Sequence, residues 1–152
     1  MRPSPPDHAA RTTIATQLDA TLFVEAGAGS GKTTALVGRV VALVESGIEL
    51  RYIAAITFTE KAGAELRDRV RRTLQERAAA AGTPPELAAR FTAAIAQLDG
   101  AAIGTLHSFA QRILSEHPVE ARLPPRVEVL DEVTSGIAFD RRWGRVLDIL
   151  LA

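Results

Sequence analysis

The stretch Ala26-Gly27-Ala28-Gly29-Ser30-Gly31-Lys32-Thr33 constrains this chain more than any other. Glycines at alternate positions let the backbone curl so that successive N–H groups face inward and form an anion nest. Before the loop stands Thr21-Leu22-Phe23-Val24-Glu25, a short run rich in β-formers that reads as a strand. After it, Thr33 to about Ser46 carries Leu36, Val40, Leu43 and Val44 at helical spacing and stops at Gly47. A strand, a glycine loop and a helix in that order set the positive end of a helix dipole against a phosphate. The loop meets the phosphate-binding pattern G-x-x-x-x-G-K-[ST] everywhere except its first position, which is Ala26. Residues Ala26 to Thr33, with Thr34 beyond them, are therefore expected to bind a nucleoside triphosphate. Lys32 would reach the β- and γ-phosphates, and the Thr33 hydroxyl would ligate Mg²⁺, which makes these two the catalytic candidates. The alternative is a glycine-rich turn with an incidental lysine; the flanking strand and helix argue against it.

The rest of the chain repeats the alternation. Asp7 can cap a helix running to about Gln17, with Ala10, Ile14 and Leu18 on one face. Ile53 to Phe58 is an apolar run of strand length with little polar alternation, as in a central parallel strand buried on both faces. A long helix is expected from Glu60 to Ala81, closed by Gly82-Thr83-Pro84-Pro85, and an Ala-rich helix from Glu86 to Leu98. Ala101 to Thr105 reads as a third strand and Leu106 to Glu116 as its helix. Val127 to Leu130 is a fourth possible strand, and Asp131 opens a last helix running to Ala152. Strands alternating with helices imply an α/β fold, a parallel sheet flanked by helices, with ligands at the carboxyl ends of the strands.

Composition narrows the partners. The 152 residues are enough for a compact domain with its own core. Eighteen Lys and Arg balance 18 Asp and Glu, so any nucleic-acid surface must be a local patch. The absence of cysteine removes disulfides and thiolate metal sites and fits a reducing compartment. Met1 to Pro6 lacks the apolar run of a secretory signal and reads as a disordered lead-in. No apolar stretch is long enough to span a bilayer, so no membrane role is expected and the chain is placed in the cytoplasm. Arg67, Arg69, Arg71 and Arg72 interleave with Asp68 and Glu76 and read as a solvated helix face.

Two further segments narrow the class. Ile56-Thr57-Phe58-Thr59-Glu60-Lys61-Ala62-Gly63-Ala64-Glu65-Leu66 resembles motif Ia of the UvrD/Rep-type superfamily 1 DNA helicases. Gly104-Thr105-Leu106-His107-Ser108-Phe109 resembles the next motif of that family, in the same order. Glu25, directly before the loop, leans toward the AddA/RecB-like branch. The resemblance runs from about Asp7 to the end of the chain. It implies an incomplete P-loop (RecA-like) domain 1A over residues 7–130 and the start of the helical subdomain 1B over 131–152. It further implies ATP and Mg²⁺ as cofactors, single-stranded or duplex DNA as partner, 3′-to-5′ translocation in repair or recombination, and a possible partner subunit. By the same resemblance Thr57, Phe58, Thr59, Lys61, Thr105 and His107 would line the DNA track. Phe58 would stack on an unpaired base and the polar residues would hold sugar-phosphate.

Two features depart from the family pattern. Counting back from Ala26, Arg11 stands where these helicases usually carry an adenine-reading glutamine. Arg only donates hydrogen bonds, so it would serve ATP by another contact, such as stacking on the base. Val127-Glu128-Val129-Leu130-Asp131-Glu132 has the look of a strand ending in a metal-binding acidic pair, but Val133-Thr134-Ser135-Gly136 follows instead of the family's Gln-Asp. An entry into subdomain 1B fits the segment better. The chain then holds the phosphate cradle and part of the DNA track, and alone is expected to bind nucleotide weakly and not to turn it over. Other classes stay open: a small-molecule kinase or GTPase, though no lid and no Asn-Lys-x-Asp guanine reader occurs, and a non-catalytic nucleotide- or DNA-binding remnant.

Overall fold

The computed structural model describes residues 7–124 and 130–151. The elements are α1 (His8–Thr16), α2 (Lys32–Glu45), β1 (Ala54–Thr57), α3 (Glu60–Ala79), α4 (Pro85–Gln97), β2 (Ala102–Thr105), α5 (Leu106–Glu116) and α6 (Glu132–Leu151). Short 3-10 turns at Leu50–Tyr52 and Leu98–Gly100 lead into β1 and β2. The chain divides into two compact units between Ala110 and Gln111.

In the first unit, three helices and one sheet face share a core. α2 buries Val37, Val40, Val41 and Val44, and α3 buries Gly63, Leu66, Val70 and Leu74. Spacings of three and four put each set on a single stripe. α4 adds Phe91 and Ala94, and Leu50, Ile53, Ala55, Leu98 and Ile103 complete the cluster. Each large side chain buried there contributes about 1.5–3 kcal/mol. Thr59 ends the extended stretch after β1 by accepting a hydrogen bond from the Ala62 N–H at 3.2 Å, and so caps α3.

β1 and β2 pair in parallel, with Ala54 opposite Ala102 and Thr57 opposite Thr105. The connection through α3 and α4 is the long crossover that parallel neighbours require. Here the sequence expectation needs correcting. β1 is not buried on both faces: Ala55 is buried, while Ala54 and Ile56 are exposed. Alternate side chains of a strand point to opposite faces, and α3 packs against only one of them. The expected strand Thr21–Glu25 has no ladder partner among the described residues, and Phe23 is 95% exposed. β-propensity records fit to a pleated, half-covered surface and does not by itself make a strand. Val127, Glu128 and Val129 of the possible fourth strand lie outside the described residues; Leu130 is exposed and irregular. The fold is thus a helix-rich α/β arrangement around a two-stranded parallel sheet.

α1 buries no residue, so its apolar face does not fix it. Arg39 does. Its guanidinium donates to the carbonyls of Ile14 at 2.8 Å and of Gln17, Leu18 and Ala20 at 3.1 Å each. Four otherwise open carbonyls at the end of α1 are satisfied by one side chain from α2, a charge-assisted clasp that leads the chain into the glycine loop.

In the second unit, α6 is capped by Asp131, whose Oδ1 accepts from the Thr134 N–H at 2.8 Å. Phe139 and Trp143, one turn apart, stack with ring centroids 6.4 Å apart. Among the described residues no helix is long and apolar enough to cross a membrane.

Candidate nucleotide and DNA site

The glycine loop joins the chain after Phe23 and Val24 to the first turn of α2. Gly29 and Gly31 take left-handed φ values of +74° and +89°, a conformation costly for any residue with a Cβ. Ala26 and Ala28 are not among the positive-φ residues, which explains why alanine serves where the pattern has its first glycine. Gly31 is the N-cap of α2 and leaves the free N–H groups of its first turn facing the loop. Lys32 Nζ donates to the Ala26 and Gly27 carbonyls, each at 2.7 Å, so the ammonium folds across the loop. Ser30 Oγ closes the turn on the Gly27 carbonyl at 2.8 Å. Thr33 and Thr34 are exposed on the first turn. Such a cradle suits a polyphosphate: inward N–H groups, a helix N-terminus and one mobile cation.

Arg11 lies against this loop. Its Nη2 donates to the Ser30 carbonyl at 2.8 Å and its Nε to Asp7 Oδ2 at 2.8 Å. The Arg11 hydrogen bond holds the Asp7 carboxyl below the usual carboxylate range, and the carboxylate in turn raises Arg11. A cleft of about 100 Å³ runs between Asp7, Arg11 and Ile14 on α1, Val24 before the loop and Lys32 on α2. A larger cleft of about 460 Å³ lies between α2 and α3, but its walls, Glu65, Asp68 and Glu76 against Arg69 and Arg72, are of mixed charge and carry no loop amides.

The other two motifs meet at the carboxyl ends of β1 and β2. A Cβ on Gly63 would lie 3.0 Å from Gly104 Cα, so α3 crosses β2 at a distance only glycine permits. Thr105 Oγ1 donates to Glu60 Oε1 at 2.8 Å and accepts from the Ser108 N–H at 3.1 Å. Thr57 Oγ1 donates to Thr59 and Gly104 carbonyls at 3.2 and 3.3 Å. Phe58 is thereby held at the strand end with 98% of its surface exposed, and Lys61 and His107 are exposed in the first turns of α3 and α5. Thr105 is only 4% exposed, and its hydroxyl is spent on Glu60 and Ser108. It shapes this surface from beneath. Among the described residues no group of three His, Cys, Asp or Glu could hold a metal ion.

The four arginines of α3 correct the expectation of a solvated face. Arg67 is partly buried and donates to the Ile103 carbonyl of β2 at 2.7 Å, and its Nε is buried without a partner. Arg69 pairs with Glu65 at 2.6 Å and Arg71 with Asp99 at 2.9 Å, which leaves Arg72 as the exposed member that fits the expectation. Sequence reasoning missed Arg39, Glu60 and Asp7 as well. The one available signal was a lone arginine on the apolar helix α2.

The family model described as the UvrD/REP helicase N-terminal domain matches residues 7–147. The chain belongs to this family. Among its relatives, the exonuclease/helicase subunit RexA of Lactococcus lactis subsp. cremoris is 37% identical over 113 residues, 74% of this chain and 9% of that protein. The AddA-type ATP-dependent helicase/nuclease subunit of Levilactobacillus brevis is 33% identical over 132 residues, 86% of this chain and 10% of that protein. The corresponding protein of Enterococcus faecalis is 35% identical over 116 residues, 76% of this chain and 9% of its own length. This helicase N-terminal domain thus spans about a tenth of the relatives it matches, and the AddA/RexA-type relatives agree with the branch that Glu25 favours.

Proposed function

We propose that this chain is the nucleotide-binding portion of an ATP-dependent DNA helicase or translocase. Residues 7–130 are its partial RecA-like domain 1A, 131–152 open subdomain 1B, and 1–6 are a lead-in. Ala26 to Thr33 and Thr34 cradle the ATP phosphates, with Arg11 beside them. Lys32 neutralises phosphate charge and the Thr33 hydroxyl supplies one Mg²⁺ ligand; the metal, when bound, adds charge neutralisation at the transferring phosphoryl group. Phe58 stacks on a base, while Thr57, Thr59, Lys61 and His107 hold the backbone and Thr105 positions them. Translocation runs 3′ to 5′, serves DNA repair or recombination in the cytoplasm, and involves a partner protein, since the relatives are themselves named as subunits.

The observation that carries this reading is the juncture of the two strand ends. Register Thr57 to Thr105, the Gly63–Gly104 approach and the Thr105–Glu60 bond gather Phe58, Lys61 and His107 at the edge where parallel sheets bind ligands. The cleft beside the loop, about 100 Å³, is smaller than the roughly 300–1,000 Å³ of a complete small-molecule site. Asp131 is engaged as a helix cap, which favours the 1B reading over a metal-binding pair.

The test measures binding and turnover in one preparation. The chain is expected to bind single-stranded DNA at low salt and lose it steeply as salt rises. It should bind ATP weakly, lose that binding in Lys32→Ala, and show no DNA-stimulated hydrolysis. No affinity for single-stranded DNA at low salt would remove the DNA track. Robust hydrolysis abolished by Lys32→Ala would overturn the partial-motor reading.

A further inference from the structure

The nest of the glycine loop depends on which way each peptide unit faces. A trans peptide is planar, and its C=O and the following N–H point to opposite sides. The Ser30 carbonyl is turned outward, onto Arg11 Nη2 at 2.8 Å. The Gly31 N–H of the same peptide unit therefore points inward. Gly31 has φ +89°, and a Cβ built on it would lie 3.4 Å from Arg11 Nη1, so the guanidinium sits directly on this peptide. Arg11 is itself aimed by Asp7 one turn earlier on α1, through Nε at 2.8 Å and Nη2 at 2.6 Å to the same oxygen. α1 in turn is fixed to α2 by the Arg39 clasp. The order of support runs from α2 through Arg39 to α1, and from α1 through Arg11 back to the loop.

We propose that Arg11, aimed by Asp7, is a positioning residue of the phosphate loop that holds the Ser30 carbonyl outward and the Gly31 N–H inward. Arg11 acts on the phosphates through the backbone and does not read the base. This rests on the loop being the nucleotide site.

Inorganic tripolyphosphate and ATP, each with Mg²⁺, are the probes, titrated into the 152-residue chain and its variants. Arg11→Ala should weaken both by the same factor, about fivefold, the scale of one charge-assisted contact. Arg11→Lys, which keeps one donor for the Ser30 carbonyl, should recover part of that loss. Asp7→Ala should weaken tripolyphosphate about twofold in the parent chain and have no further effect in Arg11→Ala. The Gly31 amide resonance should shift on tripolyphosphate addition in the parent chain and much less in Arg11→Ala, at matched helix content by circular dichroism. Loss of ATP affinity with unchanged tripolyphosphate affinity would overturn the proposal in favour of a base contact. Additive losses for Asp7→Ala and Arg11→Ala would overturn the aiming role. Tripolyphosphate binding that survives Lys32→Ala is a different failure: it overturns the nucleotide site itself.

Discussion

Phe58 shows how far a single position is decided by its neighbours. Exposed large aromatics are uncommon on a folded chain, yet this one is held outside by Thr57 and by the capping of α3 at Thr59. With almost no buried area to lose, Phe58→Ala should leave the melting temperature unchanged. It should weaken single-stranded DNA binding by about 1–3 kcal/mol, the worth of one stacked base, measured by fluorescence anisotropy with oligonucleotides. An unchanged DNA affinity would remove Phe58 from the track. The motif around Phe58 was legible in the sequence. Its partner Glu60 was not, because a carboxylate early in a helix is ordinarily a dipole-compensating surface residue.

At the scale of elements, two helix ends are set by single side chains. Asp131 caps α6, and the hydrogen bond from the Thr134 N–H holds its carboxyl below the ordinary carboxylate value. Because the folded value is the lower one, the contribution to α6 is present above the unfolded value and is lost as pH falls through the folded one. The Thr134 amide resonance should therefore titrate below about pH 4, and Asp131→Asn should abolish that titration while keeping most of the cap. At the other end of the chain, Arg39→Met keeps the length of the side chain but none of its donors. It should cost about 2–3 kcal/mol in urea unfolding and speed hydrogen exchange around α1, since hydrogen bonds to a charged group are worth more than neutral ones. Helix boundaries were readable to within two residues at α3, where the expected stop at Ala81 falls at Ala79. Spacing of apolar residues and the Gly-Thr-Pro-Pro stop carried that information. The strand before the loop was misread because a ladder partner, unlike a cap, is not a local property.

For the whole molecule, the core between α2, α3, α4 and one sheet face carries the stability. Phe91 is 1% exposed at its centre and contacts no candidate ligand group. Phe91→Ala should destabilise the chain by about 3–5 kcal/mol in denaturant unfolding, with nucleotide and DNA affinities kept wherever the variant remains folded. The sequence by itself determined the phosphate loop, the helical stripes and the family, because these rest on spacing along a few neighbouring residues. Tertiary structure decided the rest. It left one face of β1 open, drew Arg67 out of solvent and onto β2, and spent the Thr105 hydroxyl inside. It also turned Arg11 from a base-side candidate into a support for the loop. Each outcome depends on which groups from distant parts of the chain come within about 3 Å, the range in which a hydrogen bond acts, and one-dimensional order does not encode that directly.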